Sequence, residues 1–380
     1  LLHENNIISI KCDDNYDDKI VLMNDNLHIK LVQGENLFAV NKNTFKNIKI
    51  IGAKYSLSEF GKCEKLNNNK INVLLCSDSK YFVGLFAVLH SVIQNTHYFD
   101  NIHWNFMIPI EETNHFSKIL RQFECKMGVQ LDKTIIYMDA NILDPVLLIT
   151  KCYNGGGHLL NIGNLSRLLI GEFMKYDKLI YLDSDSIVQS DIIEPLIHFK
   201  LQHDLYSGCA NKVHANNKKQ IVIKMGSIID CNYNWKKVIG ANIIKDEYVY
   251  MGAPFVTNCK KWGNVYSDMI RIIKIHNNSE KGVYKLFTMS LQNIIFYNKT
   301  GNIHQIMKVI QDLGSKRKEW DTNDLIDKDV LDWSGIYKPW FSNGLYRDIW
   351  LKHDILNLSE TFGEIIGSKN VVETNIKSHK

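Results

Sequence analysis

A short apolar strand that ends in two closely spaced carboxylates constrains this chain more than any other stretch. Leu179 to Leu182 has the sequence Leu-Ile-Tyr-Leu and is predicted to be a buried strand. Asp183-Ser184-Asp185 follows it directly. Residues two apart in an extended segment point the same way, so the two carboxylates can converge on one point. Such oxygen ligands suit Mg²⁺ or Mn²⁺ and leave positions for phosphates, which predicts a metal site that holds a diphosphate.

A second pair of the same spacing, Asp327-Lys328-Asp329, lies in an acidic stretch with no strand before it. On spacing alone, either pair is more often a solvated loop or a helix cap than a metal site. Because only Asp183 and Asp185 follow an apolar strand, only that pair is taken as the candidate site.

Charge, cysteine content and hydropathy exclude several classes of protein. The formal net charge of the 380 residues is only +4, and no stripe of Arg and Lys interleaved with aromatics indicates nucleic-acid binding. No apolar stretch is long enough for a membrane span, and no signal peptide opens the chain. The eight cysteines are scattered without a Cys-x-x-Cys pair. We therefore expect a reduced, cytoplasmic or other intracellular protein.

The first part of the chain differs from the rest. Short strands are predicted in residues 1–65, with Gly34-Glu35-Asn36 as a hairpin turn between two of them. This part is interpreted as a small β-rich accessory region without catalytic features. Residues 71–341 are interpreted as one large domain, and residues 342–380 as a C-terminal helix and polar tail.

Strands alternate with helices through the large domain. This order predicts an α/β sandwich around a mostly parallel sheet. The predicted strands are 71–76, 103–108, 134–138, 179–182 and 205–210, and the predicted helices are 81–94, 113–127, 164–176, 260–275, 288–297 and 345–358.

A polar turn, Ser77-Asp78-Ser79, follows the first of these strands. In parallel sheets, ligands bind beyond the carboxyl ends of the strands, which places Asp78 where a nucleotide base would be recognised. The alternative is that Asp78 or Ser79 caps the following helix. Both roles are compatible with the sequence.

Four segments resemble, in the same order, the motifs of glycosyltransferase family 8, the retaining enzymes that include glycogenin and bacterial galactosyltransferases. They are Val73 to Asp78, Ser166-Arg167-Leu168 with the strand to Asp185, Tyr250 to Trp262 with its Lys-Lys-Trp ending, and Asp332 to Trp340, which ends in Lys-Pro-Trp. The resemblance covers roughly residues 71–341. It implies the GT-A fold, an α/β/α sandwich.

The resemblance also implies a donor, a metal and an acceptor. The donor is a UDP-sugar with glucose, galactose or GlcNAc as the hexose, and the sequence does not distinguish these. The cofactor is Mn²⁺ or Mg²⁺, and the acceptor is a hydroxyl of a glycan, glycoprotein or other molecule. No nucleic acid and no membrane span is expected, and the chain is a possible homodimer.

The family motifs assign roles to particular residues. The metal ligands are Asp183, Asp185 and Asp332. The donor is bound by Ser77, Asp78, Arg167, Ser184, Gly252, Gly335 and Lys338, and the reaction is carried by Gln292, Asp185 and Lys338. In this reading Lys338 places an ammonium on the β-phosphate, and Gly335 lets the backbone approach it.

The chain departs from the family pattern at four places. Asp332 stands where the family has a histidine ligand, and Met251-Gly252-Ala253 replaces Asn-Ala-Gly. Leu291-Gln292 stands where the family has Asp-Gln, and Asn211 stands at the place of a sugar-binding Asp. Without an acid before Gln292, same-face attack is favoured over a covalent glycosyl-enzyme.

Two other functions are compatible with the sequence. The chain could be a UDP-sugar-binding scaffold or regulator without turnover, as the departures at Met251, Leu291 and Asp332 indicate. It could also be a metal-dependent nucleotidyltransferase, which would release pyrophosphate in place of UDP.

Overall fold

The computed structural model describes residues 70–139, 162–199, 201, 223–303, 306–315 and 320–360. It also describes the backbone of six strands within the first sixty residues and of Tyr206–Ala210. Of the positions interpreted from sequence, Asn211 and the tail 361–380 lie outside these ranges.

The strands of the described part form one large sheet and two small ones. The strands are numbered β1 to β16 in chain order, with the residue ranges given at the end of this paragraph. In the large sheet, neighbouring strands follow the order β14-β12-β13-β10-β7-β8-β9-β4-β1-β6. The small sheets have the orders β11-β16-β15 and β3-β2-β5. The strands are β1 Asn5–Cys12, β2 Ile20–Met23, β3 Leu27–Lys30, β4 Gly34–Asn41, β5 Ile48–Ile51, β6 Leu57–Phe60, β7 Ile71–Cys76, β8 Ile102–Pro109, β9 Lys133–Met138, β10 Leu179–Leu182, β11 Ser186–Val188, β12 Tyr206–Ala210, β13 Tyr250–Thr257, β14 Thr300–Asn302, β15 Val309–Ile310 and β16 Val330–Asp332.

The centre of the large sheet is parallel. β10, β7, β8, β9 and β4 pair in parallel, while β13 and β1 join on either side in antiparallel pairing. β10 and most of β7 are apolar runs, because both faces of these two strands are buried. Alternation along β7 divides the core: Val73 and Leu75 belong to one apolar cluster, and Leu74 and Cys76 belong to the other.

Helices cover both faces of this sheet. The first cluster includes side chains of helix α1, Phe82–Asn95, and helix α2, Thr113–Met127. The second includes side chains of the helical segments 162–173, 265–278 and 287–295. The predicted α/β/α sandwich with a mostly parallel sheet is therefore confirmed. The further helices are Ile162–Ser166, Ile170–Phe173, Ile193–His198, Met225–Ile228, Trp235–Ile239, Val265–Asn278, Phe287–Ile295, Thr322–Ile326 and Arg347–Leu351, with 3₁₀ turns at Phe99–Asn101, Ile110–Glu112, Arg167–Leu169 and Cys259–Lys261.

Three of the six strands in the first sixty residues, β4, β1 and β6, extend the large sheet. β4 pairs in parallel with β9 in the register Glu35↔Thr134, and β1 pairs with β4 and β6. The prediction of a hairpin turn at Gly34-Glu35-Asn36 was wrong, because these residues form the first part of β4. Pairing with β9 overrides their local turn propensity. The domain boundary near residue 65 stays a prediction.

Several predicted helices are shorter than expected. The stretch 345–358 contains the helix Arg347–Leu351, and 164–176 is a chain of short helical segments ending at Phe173. The Lys-Lys-Trp segment is a 3₁₀ turn, after which a helix starts at Val265. Between Lys224 and Gly240, two further short helices bury Met225 and Trp235. Within the described ranges, no helix is both long and apolar enough to cross a bilayer.

Candidate active site

The site lies at the carboxyl ends of the two neighbouring parallel strands β7 and β10. Their register pairs Leu75 with Leu182, so the segments that follow them leave the sheet side by side. Ser77 and Asp78 follow β7, and Asp183 follows β10. Both predicted polar segments therefore meet at one edge, as expected for a ligand site of a parallel sheet.

Three carboxylates meet at this edge. One oxygen each of Asp183, Asp185 and Asp332 can be chosen so that all three lie within 4.8 Å of one another. Asp332 arrives from 147 residues further on because β16 pairs antiparallel with β11, with Ser186 opposite Asp332. The backbone N–H of Trp333 also donates to the carbonyl of Asp185, at 2.9 Å. The small sheet thus brings the predicted third acid to the predicted pair.

Two buried cations neutralise the first two acids. The guanidinium of Arg167 donates to both oxygens of Asp183, at 2.6 and 3.3 Å. The ammonium of Lys338 donates to a carboxylate oxygen of Asp185 and to the carbonyl of Trp333, the latter at 2.8 Å. Both cations are about nine-tenths buried, where ion pairs are screened less than at the surface.

Asp332 has hydroxyl and backbone donors rather than a cation. Its carboxylate accepts from the hydroxyl of Ser186 at 3.1 Å, from the backbone N–H of Ser334 at 2.9 Å and from the hydroxyl of Ser334. Burial and then the neighbouring Asp185 and Asp183 raise the pKa of Asp332 to about 8. A divalent cation would relieve this repulsion, and a set of three carboxylates fits Mg²⁺ or Mn²⁺.

The segment from Asp332 to Trp340 depends on a close backbone approach. Gly335 has φ +117° and pairs with Gly314, whose carbonyl oxygen would lie 2.4 Å from an added Cβ at Gly335. This crowding explains the glycine independently of any ligand. The ring of Trp340 lies edge-on to Tyr81 at 5.6 Å between centroids. Lys338 lies 5.6 Å from the centroid of Tyr81.

Gly84 was not identified from sequence, although the turn Asp183-Ser184-Asp185 packs directly against it. A Cβ at this position in α1 would lie 2.1 Å from the backbone oxygen of Ser184 and 2.8 Å from the ring of Trp340. Ser184 therefore packs against Gly84 through its backbone oxygen. A glycine inside an apolar helix is the only signal in the sequence, and it does not name its partner.

The turn after β7 is held by its own side chains and by Glu112. A carboxylate oxygen of Asp78 accepts from the backbone N–H of Lys80 at 3.1 Å, and burial raises the pKa of this carboxyl. The hydroxyl of Ser77 donates to the backbone oxygen of Asp78 at 3.2 Å. Asp78 thus forms the local turn contact of the capping alternative, which leaves its other oxygen for a ligand.

Glu112 was missed by sequence reasoning. Its two carboxylate oxygens accept from the backbone N–H and the hydroxyl of Ser79, at 2.5 and 2.6 Å. It lies in the 3₁₀ turn directly after β8, at the same edge of the sheet as Asp78. The signal that drew attention to Asp78, an acid after a parallel strand, applied to Glu112 as well.

Gly252 and Gln292 lie beside Arg167. A Cβ at Gly252 would be 3.4 Å from a guanidinium nitrogen of Arg167 and 3.4 Å from the amide oxygen of Gln292. Gln292 is only 2% exposed. Within the described part of the chain, neither its amide oxygen nor its amide nitrogen has a hydrogen-bond partner. A buried amide without partners is costly unless a ligand satisfies it.

Asp327 and Asp329 lie outside this cluster. Asp327 is exposed and pairs with Lys308 and Lys328. Asp329 accepts from Ser190 and from the backbone N–H of Lys308. Among the described residues, Asp327 and Asp329 therefore form local loop and surface contacts and are not part of the carboxylate cluster.

Comparisons with known proteins agree with this architecture. The family model described as "Glycosyl transferase family 8" matches residues 72–344. The chain is 24% identical to glycosyltransferase 8 domain-containing protein 1 of Danio rerio over 309 residues, which are 75% of this chain and 78% of that protein. It is 23% identical to the protein of the same name from Homo sapiens over 297 residues, 74% of this chain and 76% of that protein.

One solved structure shares the fold at low sequence identity. The bifunctional glycosyltransferase WbbM in its apo form superposes with a TM-score of 0.53 and 14% identity. The match covers 78% of this chain and about half, 52%, of that chain. The fold is thus that of GT-A glycosyltransferases. With the family model matching most of its length, the chain belongs to glycosyl transferase family 8.

Proposed function

We propose that this protein is a metal-dependent retaining glycosyltransferase that moves a hexose from a UDP-sugar to an acceptor hydroxyl. The observation that carries the proposal is the cluster of Asp183, Asp185 and Asp332, with Arg167 and Lys338 against it. Carboxylates and ammonium groups within reach of one point are the groups that would bind a metal diphosphate.

The three carboxylates would hold Mn²⁺ or Mg²⁺. When bound, the ion would neutralise negative charge on the diphosphate and on departing UDP. The remaining work falls to side chains of the chain itself. Asp78 would accept a hydrogen bond from the uracil ring N–H, and Lys338 would place its ammonium on the β-phosphate. Arg167 would keep Asp183 ionised and in place.

Gln292 is proposed to position the sugar. Its amide would form hydrogen bonds to sugar hydroxyls in place of the partners it lacks. The absence of a side chain at Gly252 would keep the amide oxygen of Gln292 uncovered, since a Cβ there would lie 3.4 Å from it. In same-face attack, the acceptor oxygen bonds to the anomeric carbon as the bond to the phosphate oxygen breaks. The departing phosphate takes the acceptor proton, and the sugar retains its configuration.

The proposal is tested by ligand-dependent stabilisation. Because a ligand that binds the folded state raises the melting temperature, we expect UDP with Mn²⁺ to raise Tm by several degrees. ADP or GDP with Mn²⁺ should raise it much less, because Asp78 would pair with a uracil N–H. Equal shifts for all three nucleotides would contradict the uracil assignment.

Turnover separates the proposed enzyme from its alternatives. Mn²⁺-dependent release of UDP from a UDP-sugar would support a transferase, and saturable binding without release would support a scaffold. Release of pyrophosphate would indicate a nucleotidyltransferase.

Replacing Gln292 should separate stability from activity. Gln292→Leu removes the buried unpartnered amide and should stabilise the free protein by about 1 kcal/mol. The same change should lower sugar transfer at least ~100-fold, because positioning groups commonly contribute that much. Thermal unfolding and UDP release under single-turnover conditions measure the two effects.

Asn293 provides the matched control for this prediction. Its amide is fully engaged, accepting from the backbone N–H of Tyr250 at 2.8 Å and donating to the carbonyls of Tyr250 and Met289. Asn293→Leu should therefore destabilise the protein. If Gln292→Leu destabilises it as much, the amide of Gln292 has partners in the folded protein and the proposed sugar contact is wrong.

The stereochemistry of the product tests same-face attack. The residues flanking Gln292 are Leu291 and Asn293, neither of which can act as a carboxylate nucleophile. An α-linked donor should give an α-linked product without a covalent adduct on the protein. Proton NMR of the first product and intact mass spectrometry during turnover measure these outcomes. A β-linked product or a glycosylated protein would contradict the mechanism.

A further inference from the structure

The two acids of the Asp183-Ser184-Asp185 turn are neutralised by cations that differ in how firmly they are held. Arg167 is fixed on Asp183 by two donors, and its guanidinium lies 4.9 Å from the ring centroid of Tyr181. The hydroxyl of Tyr181 donates to Asp183 as well, at 2.8 Å. Because Arg167 is held on several sides, its pairing with Asp183 is a lasting part of the site.

Lys338 has fewer hydrogen bonds than Arg167, although its ammonium also lies 5.6 Å from the ring centroid of Tyr81. Its ammonium donates to Asp185 and to the carbonyl of Trp333, at the end of a flexible four-carbon stem. The side chain of Asp185 is 14% exposed and that of Lys338 10%, so neither group is well hydrated. Asp183 and Asp185 both reach the point where the three carboxylates meet. Only Asp183 has an arginine that donates to both of its oxygens.

Lys338 and a divalent cation compete for Asp185. A divalent ion bound to Asp185 would weaken the hold of this carboxylate on the ammonium, since the two cations repel each other. An ammonium that loses its carboxylate in this buried position must find another anion, because an unpaired buried charge is strongly unfavourable. The diphosphate of the proposed donor is that anion.

We propose that Lys338 is a displaceable counter-ion of Asp185. Its ammonium binds the diphosphate only after a divalent cation has replaced it at the carboxylate of Asp185. This inference rests on the proposed function for the nature of the ligand, and it adds an order of events and an energetic coupling. Before the metal binds, Lys338 neutralises Asp185 and is withheld from phosphate. If Lys338 were instead a permanent phosphate ligand, its ammonium would contribute equally to UDP binding with and without metal.

The test is calorimetric titration of UDP into the whole chain, with and without saturating Mn²⁺. Lys338→Met retains the length and packing of the stem but removes the ammonium. In Mn²⁺ this change should weaken UDP binding at least ~10-fold, whereas without metal it should alter binding less than about threefold. Equal weakening in both conditions would overturn the proposal.

Asp185→Asn tests the same coupling from the other side. It should release Lys338 and tighten metal-free UDP binding by about tenfold, although it removes a metal ligand. That gain should vanish in the double variant Asp185→Asn with Lys338→Met, because the gain belongs to the freed ammonium. A gain that persists in the double variant would reflect only the lost negative charge and would overturn the proposal.

Lys133 offers a matched control for removing a buried ammonium. It donates to Glu124 at 2.6 Å and lies at the amino end of β9, away from the site. Lys133→Met should leave both UDP affinities unchanged, and circular dichroism checks that every variant is folded. Absence of UDP binding to the wild type in both conditions would refute the proposed function itself. Binding without the Lys338 pattern would refute only this inference.

Discussion

Asp185→Asn should abolish metal-dependent turnover, lowering UDP release from a UDP-sugar by at least ~1000-fold, because an anionic ligand of the proposed metal ion is lost. Asp185 is one of the three carboxylates that converge within 4.8 Å. An asparagine there keeps the shape of the side chain but removes its charge. The measurement is UDP release with Mn²⁺ at saturating donor.

Asp183→Asn should be equally inactive and also less stable. It leaves Arg167 buried without its carboxylate, and breaking a buried ion pair from one side costs about 3–5 kcal/mol. Asp185→Asn should cost less, since Lys338 keeps the carbonyl of Trp333 as a partner. Comparing the two thermal unfolding curves separates this effect from loss of chemistry.

Asp327→Asn is the control for both variants. Asp327 has the same Asp-x-Asp spacing but is exposed and pairs with surface lysines, so the change should leave turnover within about twofold of wild type. If Asp327→Asn were inactive and Asp185→Asn active, the metal site would have been assigned to the wrong pair.

Replacing Asp332 should reveal whether it is the third metal ligand. Three carboxylates with a divalent ion carry a formal charge of −1, whereas two carboxylates and a neutral imidazole would carry none. Asp332→Ala should therefore weaken Mn²⁺ binding to the UDP complex by at least ~10-fold. Asp332→His should restore binding and shift the preference toward ions that favour nitrogen ligands. Calorimetry with Mn²⁺, Mg²⁺ and Zn²⁺ measures both effects.

The pH dependence of metal binding gives an independent readout. Because the pKa of Asp332 is raised to about 8, the proton competes with the metal at neutral pH. Mn²⁺ affinity should therefore rise as the pH approaches 8, and this rise should be smaller in Asp332→Ala. An identical Mn²⁺ affinity in wild type and Asp332→Ala would exclude Asp332 as a ligand.

The same carboxyl makes the metal-free fold more stable at low pH. Its pKa is above the unfolded value of 3.8, so the folded state binds the proton more tightly than the unfolded state. This contribution is present below pH 3.8 and is lost as the pH rises toward about 8. Mn²⁺ should offset the loss, because it takes the place of the proton among the three carboxylates.

Local sequence was sufficient for the strands that carry the site. The apolar run Leu179–Leu182 and the run Ile71–Cys76 are strands in the structure, as predicted. Each is followed by polar residues that cannot continue into the core, so the positions of Asp78 and Asp183 at strand ends follow from neighbouring residues alone. Hydrophobic pattern determines such elements because it acts over a few residues.

Partners distant in the chain were decided only by the tertiary structure. Three contacts in the site join residues separated by tens to more than a hundred positions. Glu112 accepts from Ser79, Ser184 packs against Gly84, and Ser186 pairs with Asp332. Family motifs nominated Asp332, but residue spacing gave no sign of it. Gly34 to Asn36 are a case in which sheet pairing overrode a local turn signal.

The sequence by itself determined the α/β alternation, the acidic turn at a strand end and the family motifs, because each depends on residues close together in the chain. Only the tertiary structure decided which cation neutralises which carboxylate, and which buried amide lacks a partner. Arg167 pairs with Asp183, Lys338 pairs with Asp185, and Gln292 is unpartnered among the described residues. The physical reason is that ion pairing and burial depend on distances in space, which residue spacing does not encode.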